Sequence, residues 1–284
     1  MQLNFEHKYN MKRLLLLLII SMMHIQAFAQ SPLEKQHQYA ESLFEKGLYF
    51  DAVTEYKRLL FFDNDSSYIY DANFNIGESY KQGAYFDNAI KFFASAKMNT
   101  TDKEEQFTAE IQIIRCNILR KTTDRALELL NNLESNPSYI SKMDEINYWR
   151  GWTYMFRDEW DKAVACFTGE PELQNICRNV SKSKYSVTFA TVISYILPGA
   201  GQVYTGHYFS GFMSLGWNAL WGYLTIDAFN ADRVFDGAVI GSLLWLRFYR
   251  GNVQNARKYA ENENLKIANK TLNYLQYNYK GTHP

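Results

Sequence analysis

Proline is scarce in this chain, with five in 284 residues, and that leaves room for long unbroken helices. Cysteine is scarcer still. Cys116, Cys166 and Cys177 fit no zinc-ligand spacing, so they read as reduced residues on buried helix faces. A Cys166–Cys177 bridge stays open for an oxidising compartment. An excess of one charge is also missing. The 30 basic side chains match the 30 acidic ones, which excludes the basic surface a nucleic-acid binder needs. Histidine is limited to five. His7, His24 and His283 lie near the ends, leaving His37 and His207. No Ser-His-Asp set, metal-ligand pair or phosphate loop can be assembled from what remains. The expectation is therefore a protein that is not an enzyme and holds no cofactor and no metal.

Charge itself is missing from one region. Residues 185–226 contain no Lys, Arg, Asp or Glu, a run of 42. Most of the charge sits before it, so the chain divides into a polar part and an apolar part.

The amino terminus reads as an address. Met11-Lys12-Arg13 precedes the apolar residues 14–20, and Ala27-Phe28-Ala29 precedes Gln30. A positive start, a short apolar stretch and a small-x-small site describe a signal peptide over residues 1–29. An uncleaved anchor is the alternative, and Met11 competes with Met1 as the true start.

The polar part repeats. Ala52, Ala89, Ala126 and Ala163 are spaced at 37 residues without slippage. Four residues after them stand Tyr56, Phe93, Leu130 and Phe167. Twelve residues before them stand Ala40, Gly77, Ile114 and Gly151. A helical hairpin explains the pattern. Antiparallel helices approach closely where one side chain is small, and the large residue one turn onward fills the gap beside it. Turns such as Glu45-Lys46-Gly47 and Lys81-Gln82-Gly83 separate the two helices.

On these residues the chain resembles the tetratricopeptide-repeat (TPR) family. Asn75-Ile76-Gly77-Glu78-Ser79-Tyr80-Lys81-Gln82-Gly83 followed by Asn88-Ala89-Ile90 carries the likeness. So does Tyr148-Trp149-Arg150-Gly151-Trp152-Thr153-Tyr154 followed by Trp160-Asp161-Lys162-Ala163. The likeness covers roughly residues 33–172. The period of 37 exceeds the family's usual 34, and Ile114 and Thr123 make the third unit the most divergent. The resemblance implies a helical solenoid that binds a protein or peptide. Asn73 and Glu78 on first helices are the candidate groove residues.

The apolar part contains three stretches, near residues 185–197, 209–228 and 237–249. The segment between the first two holds Pro198, Gly199, Gly201, Gln202, Tyr204 and Gly206. Proline ends a helix there and glycines permit a tight turn. This segment resembles the P-G-x-G-Q-x-Y-x-G motif of small bacterial helical-hairpin membrane domains. In those, a second stretch is similar to Arg247-Phe248-Tyr249-Arg250-Gly251-Asn252-Val253. His207, Asn218 and Asp227 would be its intramembrane polar candidates.

These readings combine into an all-α expectation: a TPR-like helical-hairpin solenoid, then a transmembrane hairpin or three-span bundle. The expected domains are a signal peptide (1–29), about four repeats (30–175), a membrane-embedded domain (176–260) and a polar helical tail (261–284). The tail's Leu265, Ala268, Leu272 and Leu275 recur at helix spacing. The expected location is the inner membrane with the repeats facing the periplasm. The expected function is a membrane-anchored scaffold binding an envelope protein or peptide outside the cytoplasm. The alternative is an envelope or membrane-protein biogenesis factor in which the membrane domain is the active part. The lipid bilayer joins the protein partner, no nucleic acid is expected, and oligomeric state stays open.

Overall fold

The computed structural model describes residues 31–284. The signal-peptide reading and the choice between Met1 and Met11 lie outside the described residues. Within them the chain is helical, without strands. It forms two compact units, the first ending at Ile140 and the second covering Ser141–Pro284.

The first unit is three helical hairpins: α1 (Pro32–Glu45) with α2 (Tyr49–Phe62), α3 (Ile69–Gln82) with α4 (Phe86–Met98), and α5 (Lys103–Leu119) with α6 (Thr123–Glu134). Local chemistry sets two of the starts. Ser31 Oγ accepts from Glu34 N at 3.0 Å, with Pro32 opening α1. Asp102 accepts from Glu104 N at 2.8 Å ahead of α5. Both cap amides that the helix leaves without partners.

The second unit begins with a fourth hairpin, α7 (Met143–Phe156) with α8 (Trp160–Cys166). After it come α9 (Pro171–Ser183), α10 (Val187–Ile196), α11 (Ala200–Tyr204), α12 (Tyr208–Asn230) and α13 (Val234–Val239). A π-helical segment, Ile240–Trp245, leads into α14 (Leu246–Asn278). The expected polar tail is thus the continuation of one 33-residue helix. Its Leu275 is fully buried, and Tyr279 beyond it packs on Trp152, ring centroids 6.0 Å apart.

The 37-residue period is written into the backbone. Gly47, Ala84, Lys121 and Asp158 occupy left-handed conformations with φ of 75, 61, 62 and 65°. Each ends a hairpin's first helix in the same way. The next amide donates five residues back: Leu48 to Leu43, Tyr85 to Tyr80, Thr122 to Asn117 and Glu159 to Tyr154, at 2.8–2.9 Å. This doubly bonded stop satisfies carbonyls that the helix end would otherwise orphan. In the second hairpin the left-handed residue is Ala84, one place after Gly83.

Between those turns the helices meet through complementary sizes. A methyl added at Gly77 would lie 2.7 Å from the Phe93 ring, and one at Gly151 would lie 2.6 Å from Phe167. The other two hairpins place Ala40 with Tyr56 and Ile114 with Leu130, all four buried. Only where the first residue is as large as Ile114 does the second give up its ring, which keeps the combined volume within what a close-packed core tolerates. Ala52, Ala89, Ala126 and Ala163 are completely buried.

The membrane-embedded domain requires correction, and with it the inner-membrane location. Among the described residues, no helix is long and apolar enough to cross a membrane. The first apolar stretch makes α10, ten residues long, which rises only about 15 Å of a roughly 30 Å hydrocarbon core. The third is split between α13, the π segment and the start of α14, where Arg247 interrupts it. The second, α12, has 23 residues, but Ser210, Gly211, Ser214, Gly216, Asn218, Gly222 and Thr225 dilute its apolar ones. Neither a transmembrane hairpin nor a three-span bundle is formed.

Two substitutions test the repeat geometry in opposite directions. Gly77→Ala should destabilise the first unit by about 1–3 kcal/mol, since the Phe93 ring must shift. Lys121→Gly should stabilise it by up to about 1 kcal/mol by relieving a left-handed conformation unfavourable to any residue with a Cβ. Urea melts followed by far-UV circular dichroism read both. Equal midpoints for wild type and both variants would refute this packing.

Candidate functional site

The largest cavity among the prominent ones, about 790 Å3, lies in the first unit between α4 and α6, floored by α5. Its apolar wall comes from Ile90 and Ala94 on α4, Ile113 on α5, and Leu129 and Leu133 on α6. Tyr139 closes one end, its ring 5.1 Å from Phe107. Three cations line it. Lys97 bonds the buried Glu110 at 2.6 Å, Arg120 pairs with Asp87, and Arg125 pairs with Glu128 at 2.7 Å. Asn132 adds an amide whose side chain has no partner among the described residues.

The sequence candidates Asn73 and Glu78 do not line this cavity. Asn73 is buried and donates to Ile69 O of its own helix at 2.6 Å. Glu78 bridges Lys81 at 2.8 Å, and Lys81 also donates to Gln112 of α5 at 2.7 Å. Burial pushes the Lys81 ammonium below its ordinary range, while the Glu78 carboxylate works against that shift. This cluster joins α3 to α5. The three thiols are free. Burial pushes Cys116 and Cys177 up to about 12, so both remain protonated at neutral pH.

In the second unit, the glycine-rich turn converges on one amide that the sequence reading quoted only as part of a longer stretch. Asn252 of α14 is 2% exposed. Its Oδ1 accepts from Gly199 N (2.8 Å), Gln202 Nε2 (2.9 Å) and Ser214 Oγ (2.7 Å). Its Nδ2 donates to Ser194 O at 3.1 Å. One side chain thereby ties α10, the turn, α11 and α12 to α14. Glycine is needed here for two reasons. Gly199 has φ +94°, and any Cβ on it would run into Gly211 O. A Cβ on Gly201 would lie 2.6 Å from the Cβ of Ala256 on α14.

The rest of the turn docks locally. Pro198 is half-buried beside Gly199. Tyr204 Oη accepts from Ser186 N at 3.1 Å, and its ring packs edge-on against Tyr185 and Phe189. Gly206 takes the left-handed turn position at φ +84°. His207 stacks on Tyr259 at 3.9 Å, with Glu263 3.5 Å from its Nε2. Asp227 pairs with Arg233 at 3.1 Å at the end of α12. A second amide, Asn264, clamps Tyr185 through its backbone N–H and C=O at 2.7 and 2.9 Å. Asn252 and Asn264 escape a sequence reading because their partners lie 38–79 residues away.

Asn252→Leu should cost at least about 3 kcal/mol, because it strands several buried polar groups at once. All six tryptophans belong to the second unit, so urea unfolding followed by tryptophan fluorescence isolates its stability. A loss under about 1 kcal/mol would show that the amide is dispensable. Compared with family models, curated proteins and solved structures, the chain matches none.

Proposed function

We propose that this chain is a TPR-like scaffold whose first unit binds a segment of a partner protein in the groove between α4 and α6. The groove itself carries the reading: about 790 Å3 of space with an apolar wall and a cationic rim. Among the described residues no group of His, Cys, Asp and Glu could hold a metal. The best-formed concavity with a few converging polar groups is the default binding site.

The rim selects the partner's chemistry. Arg120 and Arg125 are each held by one exposed acidic neighbour on their own unit. Such surface pairs are worth only about 0–1 kcal/mol, so an incoming carboxylate can replace Asp87 or Glu128. A segment with apolar anchors spaced on a helical face, flanked by acidic side chains, would fill both the wall and the rim. Charge complementarity of this kind governs partner choice and on-rate, and it weakens with salt.

A photoreactive residue at Asn132 tests this in the full chain, with Phe62 as a control position that lies outside the groove and is 57% exposed. Irradiation in extract of the native cells should give a discrete adduct at Asn132 and none at Phe62. Combining Arg120→Glu with Arg125→Glu should lower its yield by at least about tenfold. The same adducts at both positions, or a yield indifferent to the charge reversal, would remove the groove from consideration.

A further inference from the structure

The second unit contains a separate pocket between α12 and α14, of about 330 Å3. Ser210, Met213, Ser214, Trp217 and Asn218 reach it from α12. Arg247, Phe248, Gly251, Asn252 and Asn255 reach it from α14 with the same three-and-four spacing, so one face of each helix lines it.

Three observations mark this pocket as a ligand site. Asn218 is 5% exposed; its Nδ2 donates to Ser214 O at 2.7 Å, but its buried Oδ1 has no partner. Buried acceptors are rarely left so, because the cost of desolvation is not returned. Second, Gly251 sits inside a 33-residue helix, yet a Cβ built on it meets nothing within 4 Å. A mid-helix glycine costs about 0.5–1 kcal/mol relative to alanine. No neighbour requires this one, and because Gly251 lines the pocket, a larger side chain there would take up its open volume. Third, Arg247 has neither an ion pair nor a hydrogen bond from its side chain among the described residues, although it borders the pocket.

The lining defines the ligand. Trp217 and Phe248 form the pocket's aromatic wall, their ring planes 14° apart and their centroids 5.8 Å apart, and Trp221, outside the lining, packs near-parallel to both. The C–H face of a pyranose ring is apolar and flat enough to lie on such a wall. Its hydroxyls are donors, which Asn218 Oδ1 lacks, and acceptors, which the Asn255 amide and Ser210 hydroxyl can meet. A carboxylate on the ring would take the Arg247 guanidinium through a charge-assisted pair. The volume is near the lower end for ligand pockets, about 300 Å3, which suits one ring and not a chain.

We propose that the α12–α14 pocket binds a single acidic monosaccharide, with Trp217 and Phe248 as the stacking wall, Asn218 as hydroxyl acceptor and Arg247 as carboxylate partner. The site is independent of the groove in the first unit.

Saturation-transfer NMR and calorimetry on the full chain, with D-glucuronate, D-glucose and inorganic phosphate as probes, test it. Glucuronate should bind saturably, glucose about tenfold more weakly, and phosphate should not compete with either. Arg247→Gln should bring glucuronate down to the affinity of glucose. Gly251→Leu should abolish binding of both sugars while the fluorescence-monitored melting temperature stays level or rises, since the change favours the helix. The proposal fails if glucuronate shows no saturable binding, if phosphate displaces it at equal concentration, or if Gly251→Leu binds like wild type.

Discussion

Two helix axes come within about 8–10 Å only where the side chains between them leave room. This chain meets that limit in the same way throughout. In its hairpins a large side chain on the second helix lies against a position on the first that carries little or nothing: Phe93 on Gly77 and Phe167 on Gly151. Where the first position is Ile114, the opposing residue shrinks to Leu130, and both are fully buried. The second unit follows the rule with smaller parts, as Gly201 of α11 faces Ala190 O of α10 and Ala256 Cβ of α14. Such contacts leave no slack for added volume, so register and helix spacing follow from a few small residues.

The apolar helices of the second unit need a further constraint, because apolar packing alone does not choose between neighbouring registers. Asn252 and Asn264 supply it. Each is a buried amide on α14 whose donors and acceptors are met by groups far along the chain. Sliding α10 or α12 by one residue would strand those groups in a medium without water, where each loss is expensive. The glycine-rich turn serves this network: it brings the Gly199 amide and the Gln202 side chain to Asn252.

Apolar content and charge absence misled in one respect. Forty-two residues without charge suggest lipid, yet the helices that form are too short or too mixed to cross a membrane. What those residues do instead is partly visible. Ala190, Gly201, Gly211 and Asn218 are buried within the second unit. Ile196, Phe209 and Phe212 remain 66–81% exposed. Of the polar residues along α12, Ser214 donates to Asn252 of α14 and Asn218, named in the sequence as an intramembrane candidate, lines the pocket between the two helices.

Helical class, the 37-residue period and its small-to-large pairs were legible in the residues, because each is a local pattern whose spacing maps directly onto a helix face. The left-handed turns were legible only at Gly47; Ala84, Lys121 and Asp158 adopt the same conformation without a glycine to signal it. Their geometry is imposed by the helices they join. The α4–α6 groove, the Asn252 node and the α12–α14 pocket were decided by tertiary structure alone. Each depends on side chains from separate helices meeting in space, and no spacing within one helix records which distant partner a buried amide will find.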